Sequence, residues 1–286
     1  MKKSVILKKS IILVLALLLI ALPVLASAAE ITVISREEGS GTRGAFIELF
    51  GVQVRNDAGQ NVDMTTDEAI ISNSTSVVLS GVAGDVNAIG YVSLGALNDS
   101  VKALAVDGAP ATTEAIKAGE YKISRPFNIA VTENLSSAAQ DFIDFILSAE
   151  GQAVVEARGY IAVADGAPAY AGSASGKIVV AGSSSVTPLM ESLKEAYVAL
   201  NPDVDLEVQQ SDSSIGMQSA IDGICDIGMA SREVRESEIE KGLTPMVIAI
   251  DGIAVIVNLD NGLDAIAKES VTAIFVGEVT DWSEVK

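Results

Sequence analysis

Arg36, Ser40, Gly41 and Thr42 stand together in the stretch Ser35-Arg-Glu-Glu-Gly-Ser-Gly-Thr-Arg43. A cation, two hydroxyls and a glycine-rich backbone at one point suit a small oxyanion, because N–H groups at a helix start and hydroxyls donate hydrogen bonds. An ordinary turn and helix cap would use the same residue types. The pattern recurs, however, at Gly182-Ser183-Ser184-Ser185-Val186-Thr187-Pro188 and at Ser211-Asp212-Ser213-Ser214-Ile215-Gly216. The repetition weakens the cap-only reading, since ligands of open α/β sheets gather at the carboxyl ends of strands.

Each stretch needs a strand before it and a helix after it. The apolar run Ile31–Ile34 and the helical pattern Gly44–Phe50 flank the first. Strand Lys177–Ala181 and helix Leu189–Leu200 flank the second, and strand Asp205–Gln209 and helix Met217–Asp222 flank the third. Elsewhere, Val52–Val62 reads as a surface connection and Thr66–Ile71 as a short helix. Ser136–Arg158 reads as the longest helical stretch, with a break at Gly151. Arg125-Pro126 enters a strand, while Thr244–Ile250 and Gly252–Asn258 read as two further strands. Ala167–Gly176 is the clearest linker. Helices alternate with short strands, which predicts an α/β architecture with largely parallel sheets.

Composition narrows the function. The chain has 286 residues, of which 49% are hydrophobic and 4% aromatic, with a formal net charge of -19. That charge argues against nucleic acid or an anionic membrane surface as partner. The chain contains no histidine, which excludes His-based triads and His-ligated metal sites. The lone Cys225 can form neither an internal disulfide nor a Cys-rich zinc site. Residues 1–28 carry Lys2, Lys3, Lys8 and Lys9, then the almost wholly apolar Ser10–Leu25, then Ala26-Ser27-Ala28. This is the pattern of a secretory signal peptide; an uncleaved membrane anchor is the alternative. Losing those lysines shifts the formal charge to -23.

Seven stretches together resemble the phosphate-binding proteins of ABC transporters. They are Gly182-Ser-Ser-Ser-Val-Thr-Pro-Leu, Ser213-Ser-Ile-Gly, Asp226-Ile-Gly-Met-Ala-Ser-Arg, Gly252-Ile-Ala-Val-Ile-Val-Asn, Asp281-Trp-Ser-Glu-Val, the Ser35–Arg43 stretch and Ala88-Ile-Gly-Tyr-Val-Ser-Leu. The resemblance implies a two-lobed periplasmic-binding-protein-like (type II) fold with the ligand cleft between the lobes. It also implies a receptor that delivers inorganic phosphate to the membrane permease of an ABC importer. By matching motif, Ser184 gives a hydroxyl, Ser185 a backbone N–H and Ser213 a hydroxyl. Arg36 pairs with the anion, and Ser40, Gly41 and Thr42 give hydroxyls and N–H groups. Arg232, Arg43 and Asp212 are additional candidates. Some family members have an aspartate that accepts the ligand's proton at the position of Arg232, so discrimination against sulfate would need Asp212 or Glu38 instead.

The order departs from the family's, in which the segment resembling Lys177–Lys286 precedes the one resembling Ile31–Asp165. The expectation is a circular permutant, or a fragment of a tandem duplication. One lobe would comprise residues 29–123 plus 252–286, and the other 124–251, containing the linker 167–176. The protein would be an exported monomer, without cofactor, metal or nucleic-acid partner. A phosphate scavenger or sensor, or a receptor for sulfate or tungstate, is the rival reading. A serine hydrolase using Ser184 or Ser40 with a lysine base is the enzymatic one. It lacks a histidine, and no Ser-x-x-Lys motif opens a helix in the three loops.

Overall fold

The computed structural model describes residues 29–57, 59–163 and 166–285. The expected signal peptide lies outside them. Strand β1, Thr32–Arg36, passes through Glu37–Gly39 into helix α1, Gly41–Phe50. Strand β2, Ile70–Ser72, pairs parallel with β1 and leads into helix α2, Thr75–Gly84. Ser74 caps α2 by accepting from the Val77 N–H, and the face carrying Val78, Leu79 and Val82 is buried. The helix expected at Thr66–Ile71 is instead a turn and β2. Ile70 and Ile71 register with Ile34 and Ser35, so pairing in the sheet overrides the local pattern. The surface connection Val52–Val62 contains a hairpin that pairs Gln53–Arg55 with Asn61–Asp63.

Strand β3, Ala88–Ser93, is buried along its whole length. Strand β4, Ser124–Val131, is followed by helices α3, Ser137–Ile146, and α4, Ala149–Ala157. The break between them falls at Leu147-Ser148, not at Gly151. Ser148 caps α4, and Gly151 lies inside it, where a Cβ would collide with the Phe145 carbonyl. That glycine lets the second helix press against the end of the first.

Strand β5, Gly176–Ser183, precedes helix α5, Thr187–Leu200. Strand β6, Val204–Ser211, precedes helix α6, Ser213–Ile221. Strands β7, Ile227–Ala230, and β8, Thr244–Asn258, complete the frame. Among the described residues nine strands form one sheet, ordered β6-β5-β7-β4-β8-β3-β1-β2, with Val101–Ala103 also paired to β8. The pairs β1–β2, β1–β3, β5–β6 and β5–β7 are parallel. β4 and β8 run antiparallel to each other and to β7 and β3 respectively, so the sheet is mixed rather than largely parallel. β8 is one strand where the sequence suggests two, because its pairing with β4 continues through Asp251↔Arg125 and Gly252↔Ser124.

Two large cores flank that crossing. One holds Phe127, Ile129, Phe142, Ile178, Tyr197 and Ala249. The other holds Val33, Phe46, Tyr91, Ile123, Ile253 and Phe275. The change of core therefore falls between Ile123 and Phe127 on one side and between Ala249 and Ile253 on the other. The linker Ala167–Gly176 is tied down: the Tyr170 hydroxyl donates to Asp141 Oδ2 at 2.5 Å, and the Ala149 N–H donates to the Pro168 carbonyl at 2.8 Å. The two ends of the described residues clasp each other. The Ile31 N–H donates to the Thr280 carbonyl at 2.8 Å, and the Trp282 N–H to the Ala29 carbonyl at 3.1 Å. The Trp282 indole also donates to the Asn87 carbonyl at 3.0 Å.

Candidate functional site

Strands β1, β5 and β6 end at Arg36, Ser183 and Ser211, and their loops meet between the two cores. Gly182 makes the exit from β5 possible. Its φ is 140°, and a Cβ there would collide with the Met229 carbonyl.

Arg36 is buried at 2% exposure. Its Nε and Nη2 donate to Glu37 Oε2 and Oε1 at 2.7 and 2.6 Å, Nη2 also to Ser184 Oγ at 3.1 Å, and Nη1 to Thr75 Oγ1 at 3.3 Å. The Arg36 N–H donates to the Tyr91 hydroxyl at 3.1 Å, and that hydroxyl lies 2.8 Å from Ser35 Oγ. Burial pushes the Tyr91 phenol up from its usual pKa, against hydrogen bonds that lower it, so it stays neutral. Its ring stacks on Phe46 of α1 at 3.9 Å, which links the start of the anion loop to the helix after it.

The hydroxyls form a chain across the cleft. Thr42 Oγ1 lies 2.7 Å from Ser185 Oγ, which lies 3.0 Å from Thr75 Oγ1. The Ser183 hydroxyl donates to Ser231 Oγ at 2.9 Å, and the Ser231 N–H donates to Ser213 Oγ at 3.1 Å. The Ser214 N–H and hydroxyl both reach the Gly39 carbonyl at 3.2 Å. Residues attached to both cores are thus in direct contact, and the cleft is closed.

The structure brings Arg36, Thr42, Ser184 and Ser185 into one cluster, with Ser213 beside it through Ser231. Ser185 takes part through its hydroxyl; its N–H, the group the sequence assigns to the anion, donates to Ser183 Oγ at 3.3 Å. Ser40 is buried and caps α1, accepting from the Arg43 N–H. Three additional candidates fall outside the cluster. Arg43 buttresses the loop: Nε donates to Asp63 Oδ2 and Nη1 to the Arg36 carbonyl, both at 2.7 Å. Arg232 turns into a forked pair with Glu238 at 2.9 and 2.8 Å. Burial alone would raise the Glu238 carboxyl, but the Arg232 bonds and the Arg235 N–H outweigh it and hold it below its usual value. Asp212 caps α6 by accepting from the Ile215 N–H at 2.8 Å. Glu38 is exposed, whereas the Asp212 carboxylate packs against Gly39 of the Ser35–Arg43 loop.

Thr75 and Ser231 belong to the cluster, and the sequence reading missed both. Each stood in plain view, one in the cap-forming Asn73-Ser74-Thr75-Ser76 and the other directly after β7. Within the cluster, Arg36 meets the Glu37 carboxylate. The cluster is therefore rich in directed donors with little net positive charge, which suits a small oxyanion better than a large polyanion. A cavity of about 500 Å³ lies beside it, lined by Gly44, Ala45, Arg125, Arg232 and Arg235.

Gly41 sets how tightly the cleft shuts. A Cβ there would collide with Ser213 Oγ and come within 2.8 Å of Ser231 Oγ and 3.0 Å of the Ser231 backbone carbon. Gly41→Ala is expected to disfavour the closed arrangement described here, while the helix preference of alanine acts on open and closed forms alike. It should weaken oxyanion binding at least about tenfold, because only the closed form is penalised. Calorimetry beside a thermal scan checks both halves of this expectation.

Comparison with known proteins follows the same lines. The family model for the PBP superfamily domain matches residues 22–150 and 167–286. Phosphate-binding protein PstS 2 of Streptococcus agalactiae is 57% identical over 261 residues, covering 91% of this chain and 89% of the relative. The crystal structure of a phosphate ABC transporter, phosphate-binding protein from Streptococcus pneumoniae, is 46% identical with a TM-score of 0.70, covering 90% of this chain and 100% of that one. Phosphate-binding protein PstS of Bacillus subtilis is 33% identical over 114 residues, covering 39% of this chain and 38% of the relative.

Proposed function

Since the chain belongs to the PBP superfamily, among the phosphate-binding proteins PstS, we propose that it is an exported receptor that captures inorganic phosphate between two lobes for an ABC importer. The observation that carries the reading is the cluster in which Arg36 and Thr42 meet Ser184 and Ser185 across the cleft. A ligand contacting both sides stabilises the closed form, because only that form offers the full donor set. The permease reads that form and receives the ligand. Arg36, Ser40, Gly41, Thr42, Ser184, Ser185 and Ser213 supply the contacts, and the chain carries out no reaction. Among the described residues no helix is long and apolar enough to cross a membrane, and export rests on the signal sequence in residues 1–28.

The lobes are residues 29–123 with 252–286, and residues 124–251. The exchange of core along β4 and β8 supports that division. The order is a circular permutation of the more distant family members, working as a monomer. Two observations support the permuted order: the Bacillus subtilis relative is covered for 38% of its length, and the segment from Ala29 lies hydrogen-bonded beside the segment around Trp282, as joined family segments would.

Calorimetry with phosphate, arsenate, sulfate and tungstate on the mature chain tests the function. Phosphate and arsenate are expected to release heat with one site per chain. A chain that binds sulfate or tungstate but not phosphate is the alternative receptor, and no heat with any of them sinks the reading.

A further inference from the structure

Three groups from one side of the cleft converge on a single oxygen of the other. Arg36 Nη2 donates to Ser184 Oγ at 3.1 Å, the Thr75 N–H donates to it at 3.3 Å, and the Thr75 hydroxyl lies 3.3 Å away. A hydroxyl oxygen has two lone pairs and a proton of its own to place, whereas an anionic oxygen accepts several donors readily. The point is shielded from water: Arg36, Thr75 and Ser184 are 2, 5 and 3% exposed. Resting on the oxyanion reading above, we propose that Thr75 is a ligand-binding residue. Its N–H and hydroxyl, together with Arg36 Nη2, hold one ligand oxygen at the position Ser184 Oγ takes here, and Ser184 becomes a donor to the same ligand.

Local structure explains the aim of both groups. Thr75 opens the ten-residue helix α2, so its N–H has no acceptor within the helix. Ser74 is extended, at φ -159° and ψ 160°, and turns the chain so that this N–H faces Ser184. The Thr75 hydroxyl also touches Ser185 Oγ at 3.0 Å and accepts from Arg36 Nη1 at 3.3 Å. It therefore joins the arginine to both serines of the β5 loop. A hydroxyl accepts as well as donates, so Thr75 serves a protonated oxyanion as well as a bare one.

Calorimetry with inorganic phosphate at fixed salt tests the assignment on the mature chain. Thr75→Ser should stay within about threefold of wild type and Thr75→Val should bind about tenfold more weakly. Thr75→Pro removes the N–H as well and should bind about a hundredfold more weakly. Proline suits the first helical position, and Ser74 already has the extended backbone that a residue before proline needs. Ser76→Ala, one residue along and exposed, should bind as wild type. Should Thr75→Pro fail to fold, the contrast between valine and serine still decides. Valine and proline variants within twofold of wild type, beside an Arg36→Ala variant that has lost binding, overturn the role of Thr75 alone. A wild-type chain that binds no oxyanion overturns the underlying reading with it.

Discussion

Arg36→Ala is expected to weaken phosphate binding by about a hundredfold to ten-thousandfold. The guanidinium directs Nη1 and Nη2 at Thr75 Oγ1 and Ser184 Oγ. Hydrogen bonds from a charged donor contribute about 1.5–3 kcal/mol each, and two of them give that range. The side chain's other role deepens the loss. Nε and Nη2 hold the Glu37 carboxylate, whose side chain is 20% exposed, and removing the arginine leaves that charge facing the incoming anion. Arg36→Ala with Glu37→Gln should therefore bind better than Arg36→Ala alone. Arg36→Lys keeps the charge but not the fork and should fall between the two. Titration calorimetry on the four proteins checks the order. Binding by Arg36→Ala within threefold of wild type would remove Arg36 from the site.

Asp251→Asn should destabilise the fold by about 3–5 kcal/mol, the usual consequence of breaking a buried ion pair. Arg125 and Asp251 are 4% and 1% exposed and sit opposite each other where β4 and β8 cross between the two cores. Asp251 Oδ2 accepts from Arg125 Nη2 at 3.1 Å and Nε at 3.3 Å, and Oδ1 accepts from the Ser93 hydroxyl at 2.9 Å. Burial pushes the Asp251 carboxyl up and the Arg125 guanidinium down from their usual values, and the charge of each partner opposes the other's shift. With the carboxylate gone, a cation is left in a dry crossing. For a chain of this size the loss corresponds to a fall in Tm of roughly 6–20 °C. Arg125→Met with Asp251→Leu removes both charges and should recover most of it. Thermal and denaturant unfolding of the three proteins gives the answer. A single variant as stable as wild type would mean that the pair contributes nothing to the crossing.

The three hydroxyl-rich loops were legible in the sequence because their pattern is local. Ser184, Ser213 and Thr42 stand between a strand pattern and a helix pattern, and those elements fix where the residues point. Thr75 and Ser231 were not, since a hydroxyl at a helix start is as often a cap as a ligand. Only the approach of Ser184 to Thr75 and of Thr42 to Ser231, each from the other lobe, distinguishes them. The roles of Arg43 and Arg232 were hidden for the same reason. Their partners, Asp63 and Glu238, were ordinary charges until the hairpin and the segment after β7 brought them close. In the fold, the α/β alternation was readable, but strand direction was not. β4 and β8 look like any apolar strands, and their antiparallel run depends on a crossing between cores that periodicity cannot encode.

The clasp between the two ends of the described residues also has a mechanical meaning. A pull on the residues ahead of Ala29 is first carried by the bonds from Trp282 to Ala29 and from Ile31 to Thr280. The force is then shared with the closing segment of the chain, which the Trp282 indole pins to Asn87 ahead of β3. The clasp acts as strain relief, of the kind that keeps a tug on a cable from reaching its solder joint. A tug at Ala29 thus meets the clasp with Thr280 and Trp282 before it meets the strand that carries Arg36.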